Sequence, residues 1–214
     1  MKSRILIPLT PTPEQHQRLV ALQQAFAEVC NAIAPTVAQT RVWNRVALHH
    51  MLYKALRERY PALGSQMVCN AIYAVSRLSR VVYQHPASPF LASRQPAGPL
   101  PVLRFVDTAP VVFDRHTLSL KDGRLSMFTL GGRVRFELEV READERTFRD
   151  CRLLEVELTR DPRERFTLRF SFETQPADAF DGLAPDAADV EADAGEAPAA
   201  DALIPPYVQV EETP

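Results

Sequence analysis

The hydrophobic period of this chain changes once, and a proline-rich stretch marks the change. Residues 85–101 hold Pro86, Pro89, Pro96, Pro99 and Pro101, and proline interrupts both helix interiors and central strands. Upstream of them the apolar residues recur at helical spacing; downstream they mostly alternate. Such a chain reads as α+β, with one strand and three helices first and about seven strands after.

Upstream, Ile5-Leu6-Ile7-Pro8-Leu9 is a short apolar strand. Thr12 suits an N-cap, Pro13 the first helical position, and Gln15 can reach back three residues as in a capping box. Leu19, Leu22, Phe26, Val29, Cys30 and Ile33 then share one helical face, and the helix is expected to end near Pro35. A second helix, roughly 41–60, carries Val46, Leu52 and Leu56 and stops at Tyr60-Pro61, because a residue before proline is pushed out of helical geometry. A third starts at Ser65 with Met67, Ala71, Val75, Leu78 and Val82 as its buried stripe. Gln66, Asn70, Tyr73, Arg77 and Gln84 fall on another face with Arg80 beside them, and that face carries no acid.

Downstream, short strands are expected at 102–106, 111–113, 118–120, 125–128, 134–138, 151–158 and 166–172, with hairpin turns at Asp122-Gly123 and Gly131-Gly132. The single N-terminal strand has no partner unless it joins this sheet. The expected fold is therefore α+β: a small antiparallel β-barrel with a three-helix bundle inserted after its first strand. Its parts are the first strand (1–10), the bundle (11–85), a Pro-rich linker (86–101), the barrel (102–173) and a disordered acidic tail (174–214).

Charge divides the chain differently. Residues 1–173 hold all 25 basic residues against 17 acidic ones, about +8, while 174–214 hold ten acids and no Lys or Arg, bringing the total to −2. Within the body, residues 1–106 carry about +9 and 107–173 about −1. The attraction for phosphate is thus expected in the helical lobe and the linker. The tail is Ala/Pro-rich, and two readings of it stand: an acidic mimic that occupies a basic groove, or a scar of truncation.

At 46% hydrophobic content the chain can bury a real core. It has no run of 18 apolar residues and no leader-like start, so a cytoplasmic protein without a membrane partner is expected. Cys30, Cys69 and Cys151 are odd in number and widely spaced, which fits neither a disulfide framework nor a C-x-x-C metal half-site. His49, His50 and His116 lack a Cys or carboxylate at ligand spacing, so no metal, cofactor or acid–base catalytic residue is expected.

Several segments carry a family resemblance: Leu9 to Gln15; His49 to Pro61; Leu63-Gly64-Ser65-Gln66 leading into 71–75; Val112 to Leu120; and Phe128 to Val134. In order and spacing over 5–173 they resemble TnpB, the RNA-guided nucleases of insertion sequences, also called OrfB transposases and related to type V CRISPR effectors. The resemblance implies a wedge barrel akin to an oligonucleotide-binding fold and an inserted recognition bundle. It also implies a RuvC-like nuclease with three carboxylates and a four-Cys zinc ribbon. Neither motif occurs in these 214 residues, and Asp186, Asp189, Glu191 and Asp193 lie in sequence with no apolar strand to hold them.

Gln66 and Asn70 lie one turn apart, and both side chains can pair with base edges. By the resemblance, Gln66, Asn70, Tyr73 and Arg77 would read a DNA motif, against the alternative of a solvated helix face. Lys54, Arg57 and Arg59 are candidate contacts to a guide-RNA backbone, or surface partners of Glu58. Arg80 and Arg104 add to the phosphate-attracting lobe. In the barrel, Arg115, Lys121, Arg124, Arg133 and Arg135 are candidate RNA contacts. Trp43, Tyr53 and Tyr60 serve either as stacking platforms or as core. The expectation is a nuclease-dead, TnpB-like binder of a structured, guide-like RNA and of double-stranded DNA bearing a short motif. Its alternatives are the recognition subunit of a split nuclease whose RuvC half is a separate chain, and a decayed transposase fragment.

Overall fold

The structure is a computed structural model that describes residues 2–95, 97–121, 123–138, 140–174 and 203–211. It is α+β. Strand β1 (Lys2–Pro8) leads into helices α1 (Pro13–Thr40), α2 (Arg45–Arg59) and α3 (Ser65–Gln84). Strands β2 (Val102–Phe105), β3 (Val111–Phe113), β4 (Leu118–Lys121), β5 (Arg124–Thr129) and β6 (Gly132–Glu137) follow, then α4 (Glu142–Asp150). The chain continues with β7 (Cys151–Arg160), β8 (Phe166–Thr174) and β9 (Val208–Glu211).

The start of α1 follows from its first four residues. Thr12 Oγ1 accepts from the Gln15 N–H at 3.3 Å, and the Gln15 side chain accepts from the Thr12 N–H at 2.9 Å, a reciprocal capping box. The expected end at Pro35 is corrected: the helix continues to Thr40, with Pro35 inside it. Proline forfeits one hydrogen bond to the preceding turn, but Ala34, Val37 and Ala38 are buried and hold the last turn in the core. The helix stops at Arg41, which takes the left-handed conformation (φ 57°) and donates its N–H to the Val37 carbonyl.

Every paired strand runs antiparallel to its neighbour, in three sheets ordered β1-β8-β7-β3, β2-β9 and β4-β5-β6. The N-terminal strand does join the later strands: β1 pairs with β8 from Lys2↔Glu173 to Pro8↔Thr167, so the helices interrupt a sheet. No closed barrel forms among the described residues; the expected single barrel is three separate sheets around a shared core. That core joins Leu19, Phe26 and Ile33 of α1 and Met67, Val75 and Val82 of α3 to Phe113, Leu158, Phe166 and Phe170 of the strands.

Three more segments depart from the expectation. The Pro-rich stretch is packed onto the body rather than spanning between parts, with Ser88 and Leu100 buried and the Leu100 N–H donating to the Ala38 carbonyl at 2.9 Å. Helix α4 was not expected, since it is short and polar; its Phe148 ring meets Phe170 and Phe172 edge-on at 5.1 and 5.0 Å. The acidic tail was expected to be disordered to its end. Residues 175–202 lie outside the described residues, but 203–211 are folded onto the body, with Leu203 and Val208 buried. The correction has a local cause: Leu203, Ile204, Tyr207, Val208 and Val210 fall within eight residues of the tail, and the last four of them reach the core.

Candidate nucleic-acid interface

The sheet β4-β5-β6 sorts its side chains by the two-residue period of strands. Leu118, Leu125, Met127, Val134 and Phe136 point into the core. Ser119, Lys121, Arg124, Arg133 and Arg135 are exposed and Ser126 half-buried, all on the opposite face. Strand pairing sets Ser126 opposite Arg135, Lys121 opposite Arg124, and Arg124 also opposite Glu137. Part of this face is a shallow depression of about 670 Å³ bordered by Ser119, Lys121, Arg124, Ser126 and Arg135.

Arg133 is held flat across all three strands. Its Nε donates to Ser126 Oγ at 2.8 Å, and its Nη2 to the Ser126 carbonyl at 2.7 Å and Ser119 Oγ at 3.5 Å. Its Nη1 donates to the His116 carbonyl at 3.3 Å. All these acceptors are neutral, so the guanidinium is positioned without losing its charge. Among the described residues none of Lys121, Arg124, Arg133 and Arg135 is in an ion pair. Arg115 extends the face from the turn after β3. There Asp114 accepts from the His116 N–H at 3.0 Å, and from the Thr117 N–H at 3.0 Å and Oγ1 at 2.8 Å, leaving Arg115 and His116 exposed at the tip.

Helix α3 presents the contrary case. Much of its polar face is engaged within the protein, though Gln84 at its end is exposed. Asn70 is only 5% exposed; its Nδ2 donates to the Val112 carbonyl at 3.2 Å and lies 3.4 Å from Thr117 Oγ1. Gln66 donates to the Asp114 carboxylate. Arg77 is ion-paired with Glu155 and, at 2.6 Å, with Glu157, which Arg169 also neutralises from β8. Tyr73 lies between two cations, Arg45 at 5.4 Å and Arg77 at 5.7 Å from its ring centre. The expected DNA-reading set Gln66, Asn70, Tyr73 and Arg77 is therefore spent on joining α3 to β3 and β7. A buried, doubly engaged amide has no edge to offer a base.

The network of Arg77 shifts its members in ways its geometry explains. Burial alone would lower the Arg77 pKa, but Glu155 reverses this and raises it. Burial, with Arg4 and Arg77 nearby, lowers that of Arg169. Burial also raises the Tyr73 and Tyr207 hydroxyls above the ordinary phenol value.

The remaining candidates are scattered. Lys54 and Arg59 are exposed on α2, with Arg59 5.2 Å from the Tyr60 ring centre. Arg57 is half-buried, and its Nη1 has no hydrogen-bond partner among the described residues. Arg80 is half-buried on α3, and Arg104 on β2 lies 3.9 Å from Glu211. Trp43, Tyr53 and Tyr60 pack against the core rather than standing free.

One residue that positions the basic sheet gave no signal in the sequence. Arg18 of α1 donates to Thr129 Oγ1 at 2.8 Å and to the Gly131 and Gly132 carbonyls at 2.9 and 3.0 Å, clamping the β5–β6 turn. Gln15 adds a bond from Nε2 to the Arg135 carbonyl at 3.1 Å. A lone Arg on a helix has many possible partners, and nothing local to residue 18 selects the turn at 129–132.

Among the described residues no group of three or more His, Cys, Asp or Glu is placed to hold a metal, and no helix is long and apolar enough to cross a membrane. No protein-family model matches this sequence, and no curated protein matches it.

Proposed function

We propose that this protein is a TnpB-like nucleic-acid-binding protein that holds a structured, guide-like RNA on the outer face of β4-β5-β6. The observation that carries this reading is the gathering of Lys121, Arg124, Arg133 and Arg135 on one exposed sheet face, none of them in an ion pair among the described residues although Glu137 stands opposite Arg124, with Arg115 at its border. Such cations attract phosphate, and the Ser119 and Ser126 hydroxyls supply neutral donors and acceptors to backbone oxygens and 2′-hydroxyls. The resemblance over residues 5–173 points the same way. Reading of a DNA motif by α3 is not part of the proposal, because that face is occupied within the chain.

The test is binding of a fluorescent RNA hairpin as a function of salt. The wild-type protein should bind with a steep inverse dependence on salt. The Arg133→Gln/Arg135→Gln double variant should lose about two from the slope of log K against log salt, roughly one per lost phosphate contact. Equal slopes for the two proteins, or no salt-dependent binding, would refute the proposal.

A further inference from the structure

Among the described residues strand β2 has one strand neighbour, and that neighbour comes from the far end of the chain. On one side α1 closes it: Asn31 donates from Nδ2 to the Phe105 carbonyl at 2.9 Å and accepts from the Phe105 N–H at 2.7 Å. On the other side lies β9, paired from Val102↔Glu211 to Phe105↔Val208. The pairing is prolonged by the Val106 N–H, which donates to the Tyr207 carbonyl at 3.0 Å. Among the described residues β9 pairs with no other strand.

Segment 203–211 has the parts of a bound peptide. Its main chain forms a ladder with an open strand edge, and its side chains alternate between protein and water. Leu203 and Val208 are buried, Ile204, Tyr207 and Val210 pack partly against the core, and Gln209 and Glu211 are exposed. Pro205 and Pro206 restrict the approach, and the Val208 N–H donates back to the Pro205 carbonyl at 2.9 Å. Addition of a strand to a free edge draws affinity from the main chain and specificity from pockets for alternate side chains.

We propose that the edge of β2, with the surface that buries Leu203 and Val208, is a peptide-binding site for extended strands of the pattern Leu-Ile-Pro-Pro-Tyr-Val-x-Val. Residues 203–211 are its tethered occupant, and a strand of this pattern on a partner polypeptide takes the same place. A tethered ligand has an effective concentration on the order of millimolar. The partner strand therefore enters readily only when the tether is cut or its hold is weakened. This site is separate from the basic sheet face and does not depend on the nucleic-acid reading.

The test keeps the whole chain. A specific protease site is inserted between Leu183 and Ala184, the protein is cut, and a fluorescein-labelled synthetic peptide of residues 203–211 is added while anisotropy is recorded. The cut protein should retain its own C-terminal fragment on gel filtration and then exchange it for the peptide. The uncut protein should bind the peptide at least about tenfold more weakly, as the tether requires. A peptide carrying Tyr207→Ala and Val208→Asp should not exchange. Absence of exchange, or equal uptake by cut and uncut protein, would overturn the proposal. So would loss of the cooperative melt once the fragment leaves, because 203–211 would then be an integral part of the fold.

Discussion

Replacing Asn70 by alanine separates a base-reading role for α3 from a structural one. In the folded chain Nδ2 donates to the Val112 carbonyl at 3.2 Å, with Thr117 Oγ1 at 3.4 Å and Met67 Sδ at 3.9 Å. Thr117 keeps its bonds to Asp114 without Asn70, and the sulfur contact is weak. The principal loss is thus the partner of one carbonyl on β3, the terminal strand of its sheet. Leaving a buried acceptor unsatisfied costs about 1–3 kcal/mol, and the small void left by the amide keeps the figure near the middle, about 2 kcal/mol. With a urea m-value of about 2 kcal/mol per molar, the unfolding midpoint should fall by about 1 M at unchanged slope. Binding of RNA hairpins and of DNA duplexes, measured without denaturant, should stay within about twofold, a change of under 0.5 kcal/mol. An unchanged midpoint together with lost DNA binding would refute the reasoning and return Asn70 to the role of a base reader.

Three further outcomes are expected. Arg77→Met should destabilise by about 2–4 kcal/mol, because Glu155 loses its ion pair and Glu157 keeps only Arg169; adding Glu155→Gln should restore part of that loss in a double-mutant cycle. Arg18→Ala should cost about 1–3 kcal/mol and speed amide exchange at the β5–β6 turn, and unchanged exchange at 129–132 would contradict the clamp. Burial raises the Cys30 thiol far above its ordinary range and raises Cys69 more modestly. Since the thiolate is the nucleophile, an aromatic disulfide reagent at pH 8 should leave Cys30 unmodified in the native protein and modify all three cysteines in urea. Equal rates for the three in the native state would show that Cys30 is not enclosed.

What could be read from the chain was local. The capping box at Thr12 and Gln15 needs three residues of sequence, and it formed as expected. The hairpin β5–β6 turns at Gly131-Gly132, with Gly132 at φ 100° where a side chain would be strained. The exposed row of Arg133 and Arg135 follows from alternation with Val134 and Phe136, whose burial fixes which way the strand faces. Helix α4 escaped notice because its one large apolar residue, Phe148, has no periodic companions. The helix runs past Pro35 because burial of Val37 and Ala38 in the turn that follows outweighs one missing hydrogen bond, and that burial is not local to the sequence.

The sequence by itself determined the order of elements from β1 to β6, the hairpins between β4, β5 and β6, and the outward row of Arg133 and Arg135, since each depends on neighbours within a turn or one strand pair. Tertiary structure alone decided the fate of the polar face of α3 and of the chain end. Periodicity shows that Gln66, Asn70 and Arg77 lie together, but not whether water or protein meets them. Their partners are 48, 42 and 78 residues away, at Asp114, Val112 and Glu155. Likewise Val208 and Leu203 read as part of an acidic tail until the edge of β2 and the folded body are brought beside them. Burying those side chains and completing that ladder is favourable only where the folded body supplies both surfaces, and no stretch of sequence carries both.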